Sequence, residues 1–133
     1  MNKELLKLAL EAQKNSYAPY SKKHIGAAIA MDNGKIYNGC NVENASYGGT
    51  VCAERIAIFK GVSEGAKRIK EILVVSSEAT PWPPCGMCRQ VIAEFADPEV
   101  KVHLCNPQGE GRTLKFGELF PDGFGPSHLQ IKK

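Results

Sequence analysis

Two short cysteine-bearing stretches constrain this chain more than anything else in it: Cys52-Ala53-Glu54-Arg55 and Pro84-Cys85-Gly86-Met87-Cys88-Arg89-Gln90. If Cys52, Cys85 and Cys88 serve one metal ion, any fold must bring together segments far apart in sequence. Zinc takes four tetrahedral ligands, and a catalytic zinc leaves one position to water. Three thiolates with a carboxylate close by that is not a ligand, Glu54, match that arrangement. Cys85 and Cys88 are spaced i, i+3, which puts both sulfurs on one face of a helix's first turn. Pro84 suits a helix start, where its missing N–H costs nothing. Cys52 and Glu54 are spaced i, i+2 and leave a helix on different flanks. Both approach one metal only if it lies off the helix's N-terminal end, near the axis. Two helix N-termini would then face the metal, and their dipoles stabilise thiolates.

Plainer readings compete with this one. A Cys-x-x-Cys pair also serves structural zinc sites and redox centres. Structural sites are closed by four ligands, and Cys40, Cys105, His24, His103 and His128 make no ligand-like pair with Cys52. A redox pair leaves Cys52-Ala53-Glu54 unexplained. From another class, a non-catalytic zinc-binding interaction domain is possible, and Glu54 argues against it.

The chain has 133 residues, 43% hydrophobic and 23% charged, which fits one globular domain over residues 1–133 with its own core. A net charge of +3 with scattered Lys and Arg argues against a nucleic-acid groove. No apolar run approaches the roughly 18 residues of a membrane helix. Met1-Asn2-Lys3-Glu4-Leu5-Leu6 lacks a signal peptide's apolar segment, so the cytoplasm is the expected compartment. Five cysteines, an odd number, fit reduced thiols and a metal better than a disulfide framework.

Leu5, Leu6, Leu8, Ala9, Leu10 and Ala12 recur at helical spacing, giving a first helix that ends near Asn15. Strands are expected over Ile25 to Met31 and Lys35 to Val42, around an Asp32-Asn33-Gly34 turn. Gly26, Ala27 and Ala28 are small enough for close packing against a neighbouring element. A helix follows from about Cys52 to Lys60. Ile72-Leu73-Val74-Val75 reads as a strand buried on both faces. A second motif helix runs from about Cys85 to Ala96, then a strand over Val100 to Cys105. Thr113-Leu114 forms a short fifth strand and Phe116 to Phe120 a last helical turn. This order gives an α/β fold, a three-layer α-β-α sandwich around a mixed five-stranded sheet. Sites in such sheets form outside the strand ends.

Cys-Ala-Glu followed by Pro-Cys-Gly-x-Cys-Arg-Gln resembles the cytidine deaminase family, in its small form with three cysteine ligands. The similarity runs from Tyr17-Ala18-Pro19-Tyr20-Ser21 through Asn41-Val42-Glu43-Asn44 to Phe124-Gly125-Pro126. The resemblance implies hydrolysis of cytidine and deoxycytidine to uridine and deoxyuridine, with release of ammonia, in pyrimidine salvage. It implies one zinc per chain on Cys52, Cys85 and Cys88, with zinc hydroxide attacking C4 and Glu54 shuttling protons. Asn41 and Glu43 would hold the ribose hydroxyls, and Ala45 would add a backbone contact. Tyr47 and Phe124 match aromatic positions that complete the pocket across a subunit boundary of a homotetramer. Zinc with three thiolates carries a formal charge of −1, and the arginine matching Arg55 bonds to the ligand sulfurs. Arg89 and Gln90 are expected to support packing around the site.

One departure stands out. The family usually carries an aromatic where this chain has Lys23, so replacing Lys23 by Phe is expected to tighten pyrimidine binding. A blasticidin S deaminase-like enzyme shares the motifs and is the nearest alternative; a polynucleotide deaminase lacks support without a basic stripe. His24, His103 and His128 read as ordinary polar residues, and Cys40 and Cys105 as buried small apolar ones.

Overall fold

The computed structural model describes residues 2–129. Helix α1 (Lys3–Gln13) starts where the Asn2 side-chain oxygen accepts the Glu4 N–H, a cap that satisfies one of the unpaired first-turn donors. Strands β1 (Ile25–Met31) and β2 (Ile36–Cys40) pair antiparallel. Gly34, with φ of +81°, takes the left-handed conformation that their connecting turn needs. Next come α2 (Ala53–Ser63), β3 (Ile69–Ser76), α3 (Gly86–Phe95), β4 (Lys101–Cys105), β5 (Gly111–Lys115) and the short α4 (Phe116–Leu119). Strand order is β2-β1-β3-β4-β5, with β3 and β4 parallel and the other pairs antiparallel. The mixed five-stranded sheet is therefore as expected.

Two apolar clusters sandwich it. Leu5 and Ala9 of α1 pack on Ala28, Leu73 and Val75 on one face. Ala57 and Ile58 of α2, Ile92 of α3 and Phe116 of α4 pack on Ile29, Ile72 and Val74 on the other. Alternate residues of the β3 apolar run thus feed opposite layers, because successive strand side chains point to opposite faces. Close approach of both layers depends on absent side chains. A Cβ at Gly26 would lie 2.1 Å from the Ala9 carbonyl oxygen of α1. One at Gly39 would lie 2.8 Å from the Ala53 carbonyl oxygen and the Ala57 nitrogen of α2.

Some boundaries differ from the expected ones. β2 stops at Cys40 rather than Val42; Val42 instead bridges Tyr17 and Val51. α2 runs to Ser63, past Lys60, and β3 begins three residues before Ile72. The net result for function is simple. The N-termini of α2 and α3 lie together, beside the end of β3 and the start of β1.

Candidate active site

Cys52 and Cys85 are the N-cap residues of α2 and α3; both have extended backbone, and neither side chain caps its helix. Cys88 lies in the first turn of α3 and is buried. The three Sγ atoms lie within 4.8 Å of one another, the one such group among the described residues. Cys52 and Cys85 Sγ are 3.6 Å apart. Tetrahedral zinc with sulfurs at about 2.3 Å spaces them by about 3.8 Å, so the donor set fits this metal. A hydrogen bond with the Cys88 thiol, helped by Arg55 and Cys85, holds Cys52 down to about 5 against its burial. The same bond pushes the Cys88 thiol far up. Three sulfurs this close do not ionise together unless a cation sits among them.

Arg55 leans over the cluster. Its Nη2 donates to the Thr50 carbonyl oxygen at 3.3 Å and to Cys52 Sγ at 3.6 Å, and its Nη1 to Met87 Sδ at 3.0 Å. Burial works against its charge, but the Cys52 and Cys88 sulfurs outweigh that and raise its pKa. Its buried Nε has no hydrogen-bond partner among the described residues.

Glu54, in the first turn of α2, is only 4% exposed. Burial pushes its carboxyl up to about 7, the Cys52 charge adding to the rise while its own backbone N–H and Arg55 oppose it. A carboxyl near neutrality both takes and returns a proton at physiological pH. Glu54, Cys52 and Cys85 line one cavity of about 280 Å³. Asn41 and Glu43 line the same cavity, with Ser21, Thr50, Ile25, Val74, Trp82 and Pro83 completing its walls.

A family model described as the cytidine and deoxycytidylate deaminase zinc-binding region matches residues 1–104. The chain belongs to this deaminase family. It is 47% identical over 120 residues to a cytidine deaminase of Halalkalibacterium halodurans, covering 90% of this chain and 91% of that one. A Mycobacterium tuberculosis cytidine deaminase is 38% identical over 122 residues, covering 91% of this chain and 87% of its own. A crystal structure of cytidine deaminase from Burkholderia pseudomallei superposes with a TM-score of 0.87 at 43% identity, covering 93% and 99% of the two chains.

In this member of the family, Asn41 does not sit on a strand. It is buried, its Oδ1 accepting the Ile25 N–H at 2.9 Å and the Ser16 hydroxyl, its Nδ2 donating to the Lys23 carbonyl at 2.8 Å. Glu43 Oε1 accepts the Tyr20 and Ser21 N–H groups and Oε2 the Ser21 hydroxyl, which holds the carboxyl below its usual range. Ala45 and Tyr47 are exposed and outside the cavity. Tyr47 meets Tyr20 edge-on, with ring centroids 6.0 Å apart. Phe124 is exposed too, stacked on His128 at 5.1 Å. Gln90 Nε2 donates to the Phe124 carbonyl, and Arg89 donates to the Pro84 and Leu119 carbonyls.

Lys23 lines the cavity. Its ammonium lies 2.8 Å from Glu78 Oε1, an ion pair that the sequence reading did not anticipate. His103 is buried and bonded to Glu71 and Thr113, and it does not line the cavity. Cys105 is buried as expected, and Cys40 is half-buried. Trp82, Thr50 and Ser21 line the cavity although the sequence reading gave them no role there. The available signal was Trp82's place beside Pro83-Pro84-Cys85.

Proposed function

We propose that this chain is a zinc-dependent hydrolase that deaminates cytidine and deoxycytidine to uridine and deoxyuridine with release of ammonia. The observation that carries the reading is Glu54, buried two residues after Cys52 and facing the same cavity as Cys52 and Cys85. Cys52, Cys85 and Cys88 would hold the metal, one per chain. Bound there, zinc would supply Lewis acidity that lowers the pKa of a water toward about 7, giving a nucleophile at neutral pH. Glu54 takes one proton of the attacking water and delivers it to N3 of the pyrimidine; it then takes the remaining proton from the new C4 hydroxyl and gives it to the amine, so that the C4–N bond breaks, ammonia leaves and the C4 carbonyl forms. Arg55 tempers the charge of the three thiolates through its bond to Cys52.

The sugar falls to Asn41 and Glu43. An amide nitrogen has two N–H donors, and Asn41 commits one of them to Lys23, leaving one for a ribose hydroxyl. Each oxygen of an ionised carboxylate accepts about two bonds, and Glu43 Oε2 carries one from Ser21. Glu43 lines the cavity, and its remaining acceptor capacity would take a ribose hydroxyl. We assign the sugar's remaining contacts to Ala45, and pocket completion to Tyr47 and Phe124 of neighbouring chains in a homotetramer. Residues 1–133 would act as one domain, in the cytoplasm, in pyrimidine salvage. No helix among the described residues is long and apolar enough to cross a membrane.

The test is ammonia release by purified, metal-analysed protein from cytidine, deoxycytidine and free cytosine. Both nucleosides should react and cytosine barely, because it offers Asn41 and Glu43 nothing to hold. Equal turnover of cytosine would remove the sugar assignment; no turnover of either nucleoside would sink the reading.

A further inference from the structure

Lys23 lines the cavity, and its ammonium is paired with Glu78. What, then, offers a flat face to a heterocyclic ring? Trp82 is the single aromatic side chain among the residues lining this cavity, and it is 42% exposed, so its ring is not consumed by the core. It belongs to the loop between β3, ending at Ser76, and α3, starting at Gly86. Pro81, Pro83 and Pro84 surround it, and proline's fixed φ leaves this loop few conformations.

Three polar ties fasten the loop to its surroundings. The Trp82 N–H donates to Ser76 Oγ at 3.4 Å. The His24 N–H donates to Ser77 Oγ at 3.0 Å. Lys23 Nζ meets Glu78 Oε1 at 2.8 Å. Two of the three therefore join the loop to the residues that lead into β1, and Lys23 is at once a cavity residue and the anchor of the loop opposite.

We propose that the Trp82 indole is the wall against which the pyrimidine ring lies, and that the Lys23–Glu78 ion pair is a positioning strap that holds this wall at the cavity. The proposal rests on the nucleoside reading above. Stacking suits the geometry: the polar groups of Asn41 and Glu43 serve the sugar and Glu54 the ring nitrogen, which leaves the ring's face for an apolar, polarisable surface. A lysine is tolerated at the cavity because its ammonium has a partner outside the ring's path.

Trp82 is the chain's one tryptophan, so intrinsic fluorescence reports on it alone. Titrating the zinc-loaded protein with uridine, which is not turned over, should change the emission saturably. Trp82→Ala should raise KM for cytidine about tenfold, with kcat nearly held, and Trp82→Phe should recover most of the loss. Lys23→Met and Glu78→Gln should each raise KM about two- to fivefold, the range of a partly exposed ion pair. Combining Lys23→Glu with Glu78→Lys should restore it. Unchanged KM in Trp82→Ala, or emission indifferent to uridine, overturns the wall. Unchanged KM in both single ion-pair variants, or no recovery in the swapped pair, overturns the strap. A parent protein inert toward cytidine but active on another amine would instead overturn the nucleoside reading beneath both.

Discussion

Glu54 shows how one residue gathers its properties from its neighbours. Its place in the first turn of α2 points it toward the space in front of two helix N-termini, and burial there raises its carboxyl to about 7. A glutamate on an exposed first turn would stay ionised and merely favour the helix dipole. Glu54→Gln keeps the shape and loses the proton-carrying group. Its turnover of cytidine should fall by at least about 10²-fold, the scale of a positioned acid–base group. Zinc content should hold, since all three sulfurs remain, and stability should not fall, because a neutral amide is easier to bury than a carboxylate. Metal analysis and urea unfolding beside the rate measurement check all three. Rates close to the parent's would take Glu54 out of the mechanism.

At the scale of elements, the site depends on how closely α2 docks on β2. Gly39 faces the first turns of α2, and a Cβ there would lie 2.8 Å from backbone atoms that cannot swing aside. Gly39→Ala should therefore cost about 1–3 kcal/mol in urea unfolding, the scale of overpacking, and should lower activity by displacing the helix that carries Cys52 and Glu54. Gly48→Ala, with nothing within 4 Å of the added carbon, serves as the control and should stay within about 0.5 kcal/mol. An insensitive Gly39→Ala would mean that α2 has slack the packing does not reveal. Period and spacing made both motif helices, the buried β3 run and the meeting of the cysteines legible in the sequence. Other features depended on partners distant in the chain. β2 ends at Cys40 because the Asn41 side chain, not a further strand residue, takes the Ile25 N–H. β3 extends through polar Lys70 and Glu71, and Glu71 finds His103 across the sheet on β4. The ion pair of Lys23 with Glu78 joins residues 55 apart in the chain, and no local pattern announced it.

For the whole molecule, the question is what completes a cavity that one chain leaves open. Tyr47 is 77% exposed and Phe124 57%; neither lines the cavity of Glu54, and Tyr47 lines the adjoining one with Ser21, Glu43 and Thr50. Tyr17 and Tyr20 are also about half exposed, at 55% and 49%. Large apolar surface left bare on a single chain favours burial against another copy. In the proposed homotetramer, Phe124 would serve a neighbouring site, its carbonyl held by Gln90 of its own α3. That arrangement predicts complementation between two defective chains. Glu54→Gln alone should be nearly inactive, and Phe124→Ala alone should bind cytidine weakly. Mixed after unfolding and refolding together with zinc, they form some sites that pair an intact Glu54 from one chain with an intact Phe124 from the other. The mixture should then show a KM near the parent's for a fraction of sites, above the weighted sum of the two separate preparations. Light scattering on the same samples should give the tetramer's mass. A mixture no better than that weighted sum, with the tetramer present, would place Phe124 within its own chain's function. A monomeric mass would remove the shared site altogether.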